Sequence, residues 1–185
     1  MIEISFLFGE LLLAGVWLAV RGIIALRRGK IDWKREAALL LLWFNFAVLL
    51  RLTFYPFSRV EGRVQPLLFD PARVWPFRVN LVPLVHILEF DSRGELLLNV
   101  LGNPAMFIPS GILFPALFPR LDRFWKVTAA GALLSLSIEL LQLPFYVRAT
   151  DIDDLLLNTL GCALGYGIFA LCRKLRRKGQ KTAKV

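Results

Sequence analysis

The chain is 185 residues long, 57% hydrophobic and 20% charged, with a mean hydropathy of +0.60 and a formal charge of +9. A soluble domain is roughly 45–50% apolar, and the excess here is gathered into runs of the ~20 residues needed to cross a bilayer core. These proportions exclude a soluble enzyme, a disordered tail and a disulfide scaffold. The basic excess sits at the ends of apolar runs, where it reports membrane topology and not a nucleic-acid surface.

In chain order, five spans are predicted, at about 5–26, 37–57, 96–118, 127–145 and 155–172. The first lacks a basic stretch ahead of its apolar run, so it reads as a retained helix and not as a secretory signal. Between the second and third lies a long connection, 58–95, containing Pro66, Pro71, Pro76 and Pro83. Its stretch from Trp75 to Leu84 is too apolar for a free loop and too short to span, so an interfacial or re-entrant segment is expected there. Residues 173–185 read as a basic cytoplasmic tail. The expected fold is an all-α integral membrane protein: one membrane domain, 1–185, built as a bundle of about five transmembrane helices plus that outer segment.

Orientation follows from the Lys/Arg bias of short loops. Arg27, Arg28, Lys30, Lys34 and Arg35 follow the first span, and Arg120, Arg123 and Lys126 follow the third. Seven further basic residues lie between Arg173 and Lys184. All three clusters fall on one side, which places that side in the cytoplasm and the N-terminus outside.

Polar residues inside hydrocarbon are costly, so their depth and face carry information. Asn99 and Asn103 are i and i+4 near the outer end of span three. Ser135, Glu139 and Gln142 share one face of span four, with Glu139 roughly 10 Å below the boundary at 1.5 Å per residue. Span five opens with Asp151, Asp153 and Asp154 and continues to Asn158, Gly161 and Gly165. Glu10 and Arg51 also fall in the outer third, and Arg148 lies at the mouth of span five. Agreement in depth between separately read helices implies an outward-open polar chamber bordered by spans three to five.

Blander readings stand beside this one. Asn99 and Asn103 would also serve as interhelical hydrogen-bond donors. Glu139 would serve as a structural partner of Arg51 or Arg148, and Asp153 as a solvated acidic helix cap. Gly161 and Gly165 form a G-x-x-x-G spacing, which marks close helix packing or a homo-oligomer contact. His86 stands alone. Cys162 and Cys172 are ten residues apart on one helix, about 15 Å and too far to bridge.

The run Leu98-Asn99-Val100-Leu101-Gly102-Asn103-Pro104-Ala105-Met106-Phe107-Ile108-Pro109-Ser110-Gly111 resembles a signature of VanZ-like proteins, the teicoplanin-resistance family. A second block resembles the family's other half: Ser135 to Gln142, Arg148, and Asp151-Ile152-Asp153-Asp154 continuing to Gly161. Thr53-Phe54-Tyr55-Pro56-Phe57 and Asn80-Leu81-Val82-Pro83 resemble its upstream motifs, so the likeness covers about 37–171. The resemblance implies a small bacterial multi-span envelope protein, associated with reduced susceptibility to lipoglycopeptide antibiotics without alteration of the peptidoglycan precursor's peptide terminus.

The leading expectation is a membrane protein that binds an anionic lipid or a lipid-linked cell-wall precursor. Its expected ligand-binding residues are Arg51, Asn99, Asn103, Glu139, Gln142, Arg148, Asp151, Asp154 and Asn158. Arg offers bidentate donors to phosphate, while amides read neighbouring hydroxyls. A lipoglycopeptide is a further candidate partner, and nucleic acid is not. The alternative is an integral-membrane enzyme with Glu139, Asp151 and Asp154 as catalytic candidates. Ser135 and Ser137 lack a base, no nucleophile stands out, and no cofactor or metal motif is present, which favours binding over turnover. A small transporter is the weakest reading, because the inner thirds of spans three to five are almost free of polar groups.

The charge distribution predicts that a reporter fused after Val185 is active if it requires the cytoplasm and silent if it requires export. The reverse pattern would invert the chamber.

Overall fold

The computed structural model describes residues 2–29, 31–55, 59–60, 62–73, 79–83, 92–145 and 150–182. Its long helices are α1 (Phe6–Arg28), α2 (Trp33–Phe54), α3 (Arg93–Leu117), α4 (Phe124–Gln142) and α5 (Ile152–Thr182). Among the described residues, these five helices are long and apolar enough to cross a membrane. The protein is therefore an all-α membrane protein, as its composition requires.

The helix ends differ from the hydropathy boundaries for identifiable reasons. Ser5 caps α1 by accepting from the Phe8 amide at 3.2 Å, and Gly29 closes it in a left-handed conformation at φ 63°. Asp32 caps α2 through the Arg35 amide at 3.2 Å, starting that helix at Trp33, several residues before its apolar run. Helix α4 ends at Gln142, short of Phe145. The expected basic tail is instead helical as far as Thr182, because Leu, Arg and Lys are good helix formers and need no hydrocarbon to stay helical.

The connection 58–95 contains short strands that hydropathy did not predict. Strand β1 (Ile2–Ile4) pairs antiparallel with β4 (Leu67–Phe69), and β2 (Arg59–Val60) with β3 (Arg63–Val64). Strand β5 (Val79–Asn80) runs parallel to β6 (Thr150–Asp151), just ahead of α5. Of the stretch Trp75–Leu84, only residues 79–83 are described; Trp75, Phe77 and His86 lie outside the described residues.

The chain divides into two compact units. The first comprises 1–81 and 138–151, holding α1, α2, the strands and the last turn of α4. There the Tyr55 side chain is buried and donates its hydroxyl to the Ser5 carbonyl at 3.1 Å. Phe6 meets its ring edge-on at 5.3 Å. Arg21 reaches Glu36 with Nε–Oε2 at 2.9 Å, an ion pair that ties α1 to the start of α2. No residue of α1 is fully buried, consistent with a helix that faces lipid.

The second unit comprises 82–137 and 152–185. Its core is the close approach of α3 and α5. A Cβ on Gly161 would overlap the Pro104 backbone, and one on Gly165 would overlap Ile108 and Gly111. Gly111 in turn lies against the Cys162 backbone, and the buried Cys162 thiol points at the Phe107 carbonyl at 3.5 Å. The G-x-x-x-G face is thus filled by α3 of the same chain. Without a hydrophobic drive between helices in lipid, such small-residue contacts supply the van der Waals packing that holds them together.

Gly161→Ala is predicted to destabilise the protein by about 1–3 kcal/mol through overpacking. Gly167→Ala, with open space at its Cβ, should be neutral or slightly stabilising. Thermal unfolding in detergent compares them, and equal stability of the two variants would contradict the packing described.

Candidate functional site

Residues of three sequence motifs meet in the first unit. The Gln142 amide donates to the Thr53 carbonyl at 2.6 Å, joining the end of α4 to the end of α2. Glu139, one turn earlier and only 3% exposed, accepts the Asp151 backbone N–H through Oε2 at 3.1 Å. The Asn80 amide reaches the Asp151 carboxylate at 3.4 Å, beside the β5–β6 pairing. Phe145 lies edge-on to both Phe54 and Phe69, at 5.9 and 5.8 Å, and Pro144 accepts from the Asp70 amide at 2.8 Å. The result is a polar latch under an aromatic cover, in which the buried carboxylate of Glu139 fixes the backbone entering α5.

Arg51, half-buried, donates Nη1 to the Tyr55 carbonyl at 3.0 Å and stands 5.7 Å from the Phe6 ring centre. Its described contacts therefore close the end of α2 and stack on α1. Arg148 lies outside the described residues.

In the second unit, the Asn103 amide donates to the Asp154 carboxylate at 2.5 Å, linking α3 to the first turn of α5. One turn along α5, Asn158 is 2% exposed and donates to the Ser135 hydroxyl at 3.0 Å. The side-chain oxygen of Asn158, Oδ1, is a buried acceptor without a hydrogen-bond partner among the described residues. Asn99 lies half-buried one turn before Asn103. Asp153 corrects the expectation of a solvated cap: it is 3% exposed, whereas Asp154 beside it is only half-buried. Adjacent helical residues point about 100° apart, so consecutive acids meet different surroundings.

The expected ligand-binding residues are therefore divided between two arrangements. Arg51, Glu139, Gln142 and Asp151 belong to the first unit, and Asn99, Asn103, Asp154 and Asn158 to the second. Thr53, Asn80, Ser135 and Asp153 join them without having been singled out as binding residues. Ser135 was readable from its i, i+4 spacing to Glu139, and Asn80 from its motif. Among the described residues, no group of three His, Cys, Asp or Glu side chains is placed to hold a metal ion. What the residues present chemically is carboxylates held by amides, a donor–acceptor set suited to hydroxyl and amine groups.

Glu139→Gln keeps an acceptor oxygen for the Asp151 N–H, whereas Glu139→Leu leaves that N–H unpaired. The Leu variant should be less stable than the Gln variant by about 1–3 kcal/mol. Equal thermal unfolding of the two would mean that the bond contributes nothing.

A model of the VanZ/LLP1 family matches residues 40–173. Protein VanZ of Enterococcus faecium is 36% identical over 90 residues, which cover 49% of this chain and 55% of that protein. The match thus spans about half the length of this curated relative. No solved structure matches significantly. The family match contains Arg51, Thr53, Asn80, Asn99, Asn103, Ser135, Glu139, Gln142, Asp151, Asp153, Asp154 and Asn158, every residue of the two polar arrangements, and the chain belongs to the VanZ/LLP1 family.

Proposed function

We propose that the protein is a bacterial envelope protein linked to teicoplanin and lipoglycopeptide tolerance, and that it binds the polar headgroup of an anionic lipid or lipid-linked glycan. In this reading its N-terminus is outside and its C-terminus cytoplasmic, so the polar ends of α3 and α5 meet the outer leaflet. The observation that carries the proposal is the Asn103–Asp154 pair: a half-buried carboxylate oriented by an amide at 2.5 Å, at the head of a membrane-spanning helix. A charge carried to that depth is costly, and a fixed carboxylate–amide pair offers both an acceptor and donors to sugar hydroxyls or an amine. Glu139 and Gln142 act one step back: they hold the backbone that leads into α5. Recognition is favoured over turnover because the carboxylates of Glu139, Asp151 and Asp154 accept from amides and a backbone N–H, with no activated nucleophile described beside them.

Purified protein in nanodiscs, titrated with a lipid-linked disaccharide precursor, tests this. Asp154→Asn should weaken binding roughly tenfold, the loss of one hydrogen bond to a charged group, while thermal unfolding stays close to that of the parent. EDTA should leave binding unchanged. Release of phosphate or sugar, or chelator-sensitive activity restored by Mg²⁺, would replace the binding reading with the enzymatic one.

A further inference from the structure

The opposite end of α5 carries a second feature that headgroup recognition by Asp154 does not use. From Ile152 to Cys172 the helix rises roughly 30 Å, the thickness of the hydrocarbon core, so the residues from Arg173 onward lie in the headgroup layer. The helix does not stop there, and a cleft of about 300 Å³ is lined by Ala170, Arg173, Lys174, Arg177 and Lys178. These positions are i, i+3, i+4, i+7 and i+8, so four cations share one helical face with a small residue at its membrane end. Arg173 is fixed at the wall: it pairs with Asp122, which also accepts from the Tyr166 hydroxyl at 3.4 Å, and it lies 5.2 Å from the Phe169 ring centre. Asp122 stands against this cationic face and pairs with Arg173. Beside the cations, Leu171 and Leu175 are 57% and 58% exposed. A cationic face and an apolar face thus meet at the same depth, where a phospholipid presents its phosphate and the start of its acyl chains.

We propose that this cleft is a binding site for an anionic phospholipid. Lys174, Arg177 and Lys178 take the phosphate, Arg173 supplies a preset wall, and Leu171 and Leu175 lie along the acyl chains. Charge complementarity and the enforced depth select a lipid over a soluble anion, since a Lys or Arg near an anionic surface typically contributes about 1 kcal/mol and a phosphate in the bilayer is already at the right height.

The test uses the full chain in nanodiscs of phosphatidylcholine with either phosphatidylglycerol or more phosphatidylcholine, counting lipids retained by native mass spectrometry. The parent protein should retain phosphatidylglycerol preferentially, and no preference would overturn the site whatever the variants do. Lys174→Gln with Arg177→Gln should reduce that preference roughly tenfold or more. Arg176→Gln, which removes a charge from another face of the same helix, should change it less than about threefold. An equal loss per charge in Arg176→Gln would show a diffuse surface potential and refute a site. Displacement of the lipid by millimolar inorganic phosphate would show a free-phosphate site and refute the lipid.

Discussion

A polar group carried into hydrocarbon must find its partner inside the protein, because no water is there to supply one. The helices of this protein are chiefly apolar, so the few polar side chains they bury govern how they are joined. Glu139 meets a backbone amide, Gln142 a backbone carbonyl, and Asn103 a carboxylate. Each bond joins separate segments of the chain, and each has more value in lipid than at a wet surface, since the alternative is an unsatisfied group. The small-residue contact of α3 with α5 depends on the same logic from the apolar side. Where polarity cannot drive association, backbones approach closely enough for dispersion to do so.

The spans were readable because each is a run of apolar residues of bilayer length, and length times rise leaves few other folds. Their ends were less readable. Asp32 starts α2 before its apolar run by capping, and α5 continues through Arg173 to Thr182 in residues of good helix propensity, so hydropathy marks the membrane and not the helix. The two- and three-residue strands leave no mark in the sequence for another reason. Pairings such as Asn80 with Asp151 are set by tertiary approach, and no periodicity can be seen in so few residues.

The polar residues of the candidate site were legible in type and depth but not in partnership. Spacing put Ser135 and Glu139 on one face of α4, yet their partners, Asn158 and the Asp151 amide, lie on other segments. Asp153 shows the limit most clearly. Three acids at a helix start look alike in sequence, and only the packing around α5 buries Asp153 while leaving Asp154 half-open. Gly161 and Gly165 announced a close contact, and the identity of the contacting helix came from the fold. Helix α5 thereby has two differently charged ends: acids and amides at its head, and a cationic face beyond its membrane-spanning portion.

The carboxylate–amide pair at the head of α5 is the group proposed to recognise a polar headgroup. Its most direct measurement is the identity of the lipids that remain with the protein after gentle extraction from the membrane in which it is made. Mass spectrometry should find an anionic or glycan-bearing lipid enriched over its share of that membrane, and the enrichment should fall in Asn103→Ala. Retained lipids in the proportions of the bulk membrane, unchanged by Asn103→Ala, would contradict it.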